Sequence, residues 1–141
     1  MRVSEVMVKN PVVVDPDTNC TRLAKIMRDK GIGSLVLVNN NKPIAIVTER
    51  DLVHRVMATQ KDPNKCKANE IASKPVIAVS IHADIEMAVD TMNDYKIRKI
   101  VVIDDKDKLV GILTTDDLAK NLRSMSEELA VKYILLSRRT K

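Results

Sequence analysis

Two short runs carry the side chains best suited to hold a ligand. In Ile46-Val47-Thr48-Glu49-Arg50-Asp51 and Ile112-Leu113-Thr114-Thr115-Asp116-Asp117, a threonine follows an apolar stretch and an aspartate stands three residues later. A threonine at a strand-to-helix turn suits an N-cap, and the free N–H groups of the first helical turn attract an anion. A carboxylate one turn inside can accept two hydrogen bonds from a vicinal diol such as a ribose 2′,3′ pair. The same spacing also describes a plain capping box, in which the aspartate answers the threonine backbone. Spacing alone leaves both readings open.

Other chemistry finds little support. No Ser/His/Asp or Cys/His set is evident around His54 or His82, and Cys20 and Cys66 lie far apart with no CxxC pair. A structural zinc site needs four ligands at short spacings, so no metal is expected. Cys20 falls on the apolar face of a helix and reads as core; Cys66 falls in a polar stretch and reads as exposed. Asp104-Asp105 and Asp116-Asp117 are sequence neighbours, and adjacent helical positions do not face each other. The expectation is a binding protein, not an enzyme.

The elements that position these runs are duplicated. Asn10-Pro11-Val12-Val13-Val14 returns as Lys74-Pro75-Val76-Ile77-Ala78-Val79, Leu35-Val36-Leu37-Val38 as Ile100-Val101-Val102-Ile103, and Ala45–Leu52 as Gly111–Leu118. The preludes match too, Val3-Ser4-Glu5-Val6-Met7 against Ala68-Asn69-Glu70-Ile71-Ala72. Four ordered matches at offsets of 64 to 66 exclude coincidence.

Each copy reads as strand, helix, two strands, helix. Runs 12–14 and 76–79 suit short strands. Residues 19–30 space Cys20, Leu23, Ile26, Met27 and Lys30 as one helical face, with Gly31 as the stop. The matching helix opens near Asp84 and is expected to bury Ile85, Met87, Ala88, Thr91 and Met92. Strands 34–39 and 44–47 flank a hairpin-like turn at Asn39-Asn40-Asn41-Lys42, and 97–103 and 109–113 flank Asp104-Asp105-Lys106-Asp107. The fold class is therefore α/β (α+β-like): two tandem β-α-β-β-α repeats with small mixed sheets. Repeat one spans 1–60, a linker 61–67, repeat two 68–124, and a helical extension with a basic tail 125–141. From Thr114 onward into that extension, Leu118, Leu122, Met125, Leu129, Tyr133 and Leu136 form an amphipathic stripe. It suits either one long helix or two pieces broken near 124–127, packed on its own module or on a partner.

Composition narrows the class. The chain has 141 residues, 45% hydrophobic, with no Phe or Trp and two Tyr, so the core is aliphatic and aromatic base-stacking is disfavoured. The net charge of +5 divides into +5 over 1–67, −4 over 68–131 and +4 over 132–141. No apolar run is long enough for a membrane span, and the N-terminus lacks a signal-peptide core, which points to a soluble, cytoplasmic protein with no membrane partner.

The duplicated runs identify a resemblance. Gly111-Ile112-Leu113-Thr114-Thr115-Asp116-Asp117-Leu118 and Ile97-Arg98-Lys99-Ile100-Val101-Val102-Ile103-Asp104 resemble the two signature segments of the cystathionine-β-synthase (CBS) domain, and the tandem resembles a CBS pair, or Bateman module, over residues 3–124. The resemblance implies a pseudo-two-fold arrangement and two pockets in the cleft between the repeats for AMP, ADP, ATP or S-adenosylmethionine. One would combine Thr48 and Asp51 with Val76, Ile77 and Ile97, with Arg98, Lys99 and Arg50 toward phosphate; Arg98 and Lys99 are otherwise surface charges on an edge strand. The other would combine Thr114 and Asp117, beside Asp116, with Val12, Val13, Ile32 and Ser34. The resemblance also implies a homodimer and, with no effector domain on the chain, signalling to a separate partner protein. Alternatives are a nucleic-acid-binding protein using the basic first half and tail, or a dimerisation scaffold. Three departures stand out. Ala45 replaces the signature glycine of the first repeat, Gly33 and Ser34 stand where the second has Arg98 and Lys99, and Val101 stands where the family often has proline.

Overall fold

The structure is a computed structural model describing residues 1–121, 123 and 126–139. In chain order the elements are α1 (Val3–Val6), β1 (Val8–Lys9), β2 (Val13–Val14), α2 (Cys20–Lys30), β3 (Ser34–Asn39), β4 (Lys42–Thr48), α3 (Glu49–Asp51), α4 (Ala68–Ile71), β5 (Ala78–Ser80), α5 (Ile85–Tyr95), β6 (Lys99–Ile103), β7 (Leu109–Thr114), α6 (Thr115–Lys120) and α7 (Glu127–Arg139). Past Asp51, α3 continues as a π-helical stretch over Leu52–Met57. None of the described helices is long and apolar enough to cross a membrane.

The chain forms two compact units, Pro11–Val76 on one side and Met1–Asn10 with the segment from Ile77 onward on the other. Each contains the expected β-α-β-β-α series. In the first, β2 lies parallel to β3 and β3 antiparallel to β4, with Ser34 opposite Thr48. In the second, the order is β1-β7-β6-β5, with β5 parallel to β6 and Lys99 opposite Thr114. The apolar β-branched content of these strands follows from burial on both faces: Leu35, Val36 and Leu37 are enclosed in one unit, and Ile100, Val101 and Val102 in the other.

The unit boundaries differ from the repeat boundaries, because each prelude folds against the other repeat's elements. The Val3 N–H donates to the Ala83 carbonyl at 2.9 Å and the Ile85 N–H to the Met1 carbonyl at 3.0 Å. Sixty-five residues away the same pair of bonds recurs in the first unit, where Ala68 N–H reaches the Thr18 carbonyl at 2.7 Å and Cys20 N–H the Cys66 carbonyl at 2.8 Å. The stretch read as a linker is accordingly fastened down. The Thr21 hydroxyl donates to Asn64 Oδ1 at 2.6 Å, and Cys66 is 3% exposed, which corrects the expectation of an exposed thiol. Burial, and then a hydrogen bond with Cys66, pushes the Cys20 thiol up to about 12.

Local signals account for the helix ends. Asn19 caps α2 through its side chain, which accepts from the Arg22 N–H at 2.9 Å, and Gly31 ends it in the left-handed conformation at φ 63°. At the matching position α5 ends on Lys96, which adopts φ 56° despite its side chain. Asn40 and Asn41 both take positive φ in the hairpin turn, as a two-residue turn of this type requires. Leu23, Cys20 and Met27 of α2 are buried, as are Ile85, Ala88, Val89 and Met92 of α5. Removing a side chain such as Leu23 would cost about 2–5 kcal/mol. Met87 is 59% exposed, not buried as its spacing suggested, because α5 turns Val89 inward instead. The second strand of that repeat begins at Lys99, two residues later than expected.

The stripe divides between two helices, with Leu118 on α6 and Leu129, Tyr133 and Leu136 on α7. α7 packs on its own unit through Leu129, Leu136 and the half-buried Tyr133, while Leu122 and Met125 lie outside the described residues. Lys132, counted with the basic tail, is a bolt: its Nζ sits 2.9 Å from both Glu86 Oε1 and Asp90 Oδ1 of α5, and those carboxylates push its pKa up.

Candidate functional site

Both strand-to-helix turns form complete capping boxes. In the first unit the Thr48 N–H donates to Asp51 Oδ2 at 2.9 Å, the Thr48 hydroxyl donates to the same oxygen at 3.2 Å, and the Asp51 N–H returns to Thr48 Oγ1 at 3.3 Å. In the second the corresponding distances for Thr114 and Asp117 are 2.9, 3.0 and 3.2 Å. The structure thus has the capping-box reading of this spacing in both units. Threonine consumes Oδ2 of each aspartate and fixes its rotamer, and Oδ1 is the oxygen left for other partners.

Those second oxygens have different surroundings. Asp51 Oδ1 faces Arg55 Nε at 3.7 Å, one helical turn on, and Arg55 also donates to the Ile71 carbonyl at 2.9 Å. The position equivalent to Arg55 in the second unit is Asn121, whose Nδ2 donates instead to the Asp117 main-chain carbonyl at 2.8 Å. No hydrogen bond or ion pair among the described residues reaches Asp117 Oδ1. Asp117 as a whole is buried, 8% exposed. Sequence reasoning passed over Arg55; the four-residue spacing from Asp51 was its only signal.

Each unit gathers its own set of the remaining candidates around its turn. In the first, Val12 accepts from the Val36 N–H at 3.1 Å, Ser34 lies across from Thr48, the Ile32 N–H reaches the Met27 carbonyl at 3.0 Å, and Val13 and Arg50 are exposed. Val76 ends this unit. In the second, Ile77 accepts from the Val101 N–H at 3.2 Å, Lys99 lies across from Thr114, the Ile97 N–H reaches Met92 at 3.0 Å, and Asp116 and Arg98 are exposed. The Ile77–Val101 bond is one that proline at 101 would lack. Arg98 precedes β6, which lies between β7 and β5, so it does not sit on an edge strand.

The residue after each threonine is anchored to the strand opposite. Glu49 N–H donates to the Gly33 carbonyl at 3.1 Å and Thr115 N–H to the Arg98 carbonyl at 3.0 Å. A Cβ on Gly33 would lie 2.5 Å from Glu49 Oε1, so glycine there lets the carboxylate fold over the strand start. The first turn is therefore lined by Glu49 and Asp51 with Arg50 and Arg55, while the second has Arg98 and Lys99 beside Thr114. The two are chemically distinct. Gly111 has a related cause: a Cβ there would meet Met7 Sδ and, at 3.1 Å, the Val8 carbonyl of β1. In the first unit the residue equivalent to Met7 is Ala72, and the signature position tolerates Ala45, which is fully buried.

A strand-to-helix turn repeated in two β-α-β-β-α units defines the class. Residues 3–58 and 68–124 each match the CBS domain, and the chain belongs to that family as a tandem CBS domain pair. It is 40% identical over 117 residues to an uncharacterized protein of Methanopyrus kandleri, covering 82% of this chain but only 60% of that relative. Among solved structures it resembles a CBS domain protein of Pyrobaculum aerophilum complexed with AMP, at 26% identity and a TM-score of 0.79 over 96% of this chain and 99% of the other. It also resembles the CBS domain pair of protein MJ0100 in complex with 5′-methylthioadenosine and S-adenosyl-L-methionine, at 25% identity and a TM-score of 0.77 over 88% and 97%.

Proposed function

We propose that this chain is a ligand-sensing regulatory module that binds an adenosine-containing ligand (AMP, ADP, ATP or S-adenosylmethionine) through its two strand-to-helix turns. The observation that carries the reading is the paired Thr-x-x-Asp turn. Each aspartate is held by its threonine through one oxygen, and on this reading its other oxygen accepts from a ribose diol. The AMP and S-adenosylmethionine complexes of similar structures support the choice of adenosine. Apolar residues on or just before the strands, Val12, Val13, Ile77 and Ile97, flank the base, and Arg98 and Lys99 supply positive charge for phosphate. The module acts by binding, not turnover, as a homodimer in the cytoplasm, and passes its state to a separate effector protein. Differential affinity of the ligand for two conformations is the only source of such a signal.

The nucleic-acid alternative loses part of its footing, since Lys132 is committed to Glu86 and Asp90. A thermal-shift screen with AMP, ADP, ATP, S-adenosylmethionine, NADH and GTP, followed by calorimetry, tests the proposal. A ligand at a hundredfold excess over its dissociation constant adds about 2.7 kcal/mol of stability. Stabilisation by adenosine ligands supports the reading, and no response to any of them overturns it.

A further inference from the structure

Helix α7 has two faces of opposite use. Leu129, Tyr133 and Leu136 turn into the core of their unit. On the other side Val131, Ile134 and Leu135 are 51%, 45% and 57% exposed, an apolar trio with nothing over it. At 100° per residue these three share an arc of about 120° with Glu127, Glu128 and Arg138. All three charged residues are exposed, and none makes an ion pair among the described residues. Along the helix this face thus reads acid, apolar, base.

That order is self-complementary only when two copies run antiparallel. The glutamates of each helix then face Arg138 of the other, twice over, and Val131 meets Ile134 and Leu135. The midpoint between the charged ends and the midpoint of the apolar trio both fall close to the level of Tyr133, so a single two-fold axis satisfies both. A parallel pair would set glutamate against glutamate. Opposed helix dipoles favour the antiparallel arrangement as well. We propose that the exposed face of α7 is a self-association surface on which the α7 of a second copy of this chain docks antiparallel, an isologous contact. It specifies one interface for the homodimer proposed above and stands independently of the ligand.

The test is sedimentation of the full chain over a dilution series. Arg138→Glu alone, and Glu127→Arg with Glu128→Arg, each replace two attractions with two repulsions and should weaken self-association about tenfold or more, halving the assembled mass. Combining all three substitutions should restore it. Mixing the Arg138→Glu protein with the Glu127→Arg/Glu128→Arg protein should give a complex of both, since every charged contact is again opposite in sign. All the altered side chains are exposed, and an unchanged circular-dichroism melt verifies the fold. An assembled mass indifferent to these changes, a wild type monomeric at its highest soluble concentration, or failure of the mixed pair to associate overturns the proposal. Retained association through other faces, with no response to charge, counts against it equally.

Discussion

Arg55 bridges the carboxylate of Asp51 and the main chain of Ile71, tying the first ligand-type turn to the prelude helix α4 of the same unit. Among the described residues the second turn has no such strap. Arg55→Met should leave two carbonyls, those of Ile71 and Ala72, without their donor and lower stability by about 1–2 kcal/mol. The corresponding Asn121→Ala should cost less. Urea denaturation of the two variants measures the difference, and equal losses would remove the asymmetry argued here.

Asp51→Ala and Asp117→Ala each delete the aspartate half of a capping box and, on the proposed function, a ribose acceptor. Loss of the cap costs about 0.5–2 kcal/mol, so both variants should fold. Calorimetric titration with AMP or S-adenosylmethionine should then show one binding event fewer in each. Unchanged stoichiometry in both would detach these aspartates from ligand binding while leaving their capping role intact.

Cys20 supplies a pH dependence. Its thiol is held near 12 when folded against an ordinary 9.0, so above about pH 9 the unfolded chain loses a proton that the folded chain keeps. Stability should be unaffected below that point and fall as pH rises from about 9 toward 12. Cys20→Ala should flatten this alkaline limb in a series of melting curves. Both thiols should also resist alkylation in the native protein, since both are buried.

Gly111 and Met7 can be tested as a pair. Gly111→Ala should cost about 1–3 kcal/mol, because its Cβ meets Met7 and the Val8 carbonyl. Adding Met7→Ala recreates the Ala45 and Ala72 combination of the first unit and should recover part of the loss. A double-mutant cycle with zero coupling would show that the clash is relieved elsewhere.

What the sequence made legible was whatever repeats or has a local cause. The duplication, the strand pairs around Asn40 and Asp104, the Gly31 stop and both threonine caps follow from short-range chemistry, and the structure has them all. What it concealed depends on distant packing. The two preludes are equally apolar, so nothing in Val3–Met7 or Ala68–Ala72 says which repeat each joins. Cys66 looked exposed because its neighbours are polar, yet its backbone is paired with Cys20 and its side chain follows inward. Met87 fitted the helical face as well as Val89 does, and only the orientation of α5 separates them.

The exchange of preludes also sets the order in which the molecule can be completed. The Pro11–Val76 unit has every strand and helix it needs once synthesis has passed residue 76, so it can close while the rest of the chain is still being made. Met1–Asn10, which is made before that unit, pairs with β7 and with the start of α5, and so must wait until residues beyond 110 exist. A cut at the apparent linker would leave one fragment lacking α4 and the other lacking α1 and β1. The two sequence repeats, similar as they are, cannot be separated into independent proteins at the place where the sequence invites it.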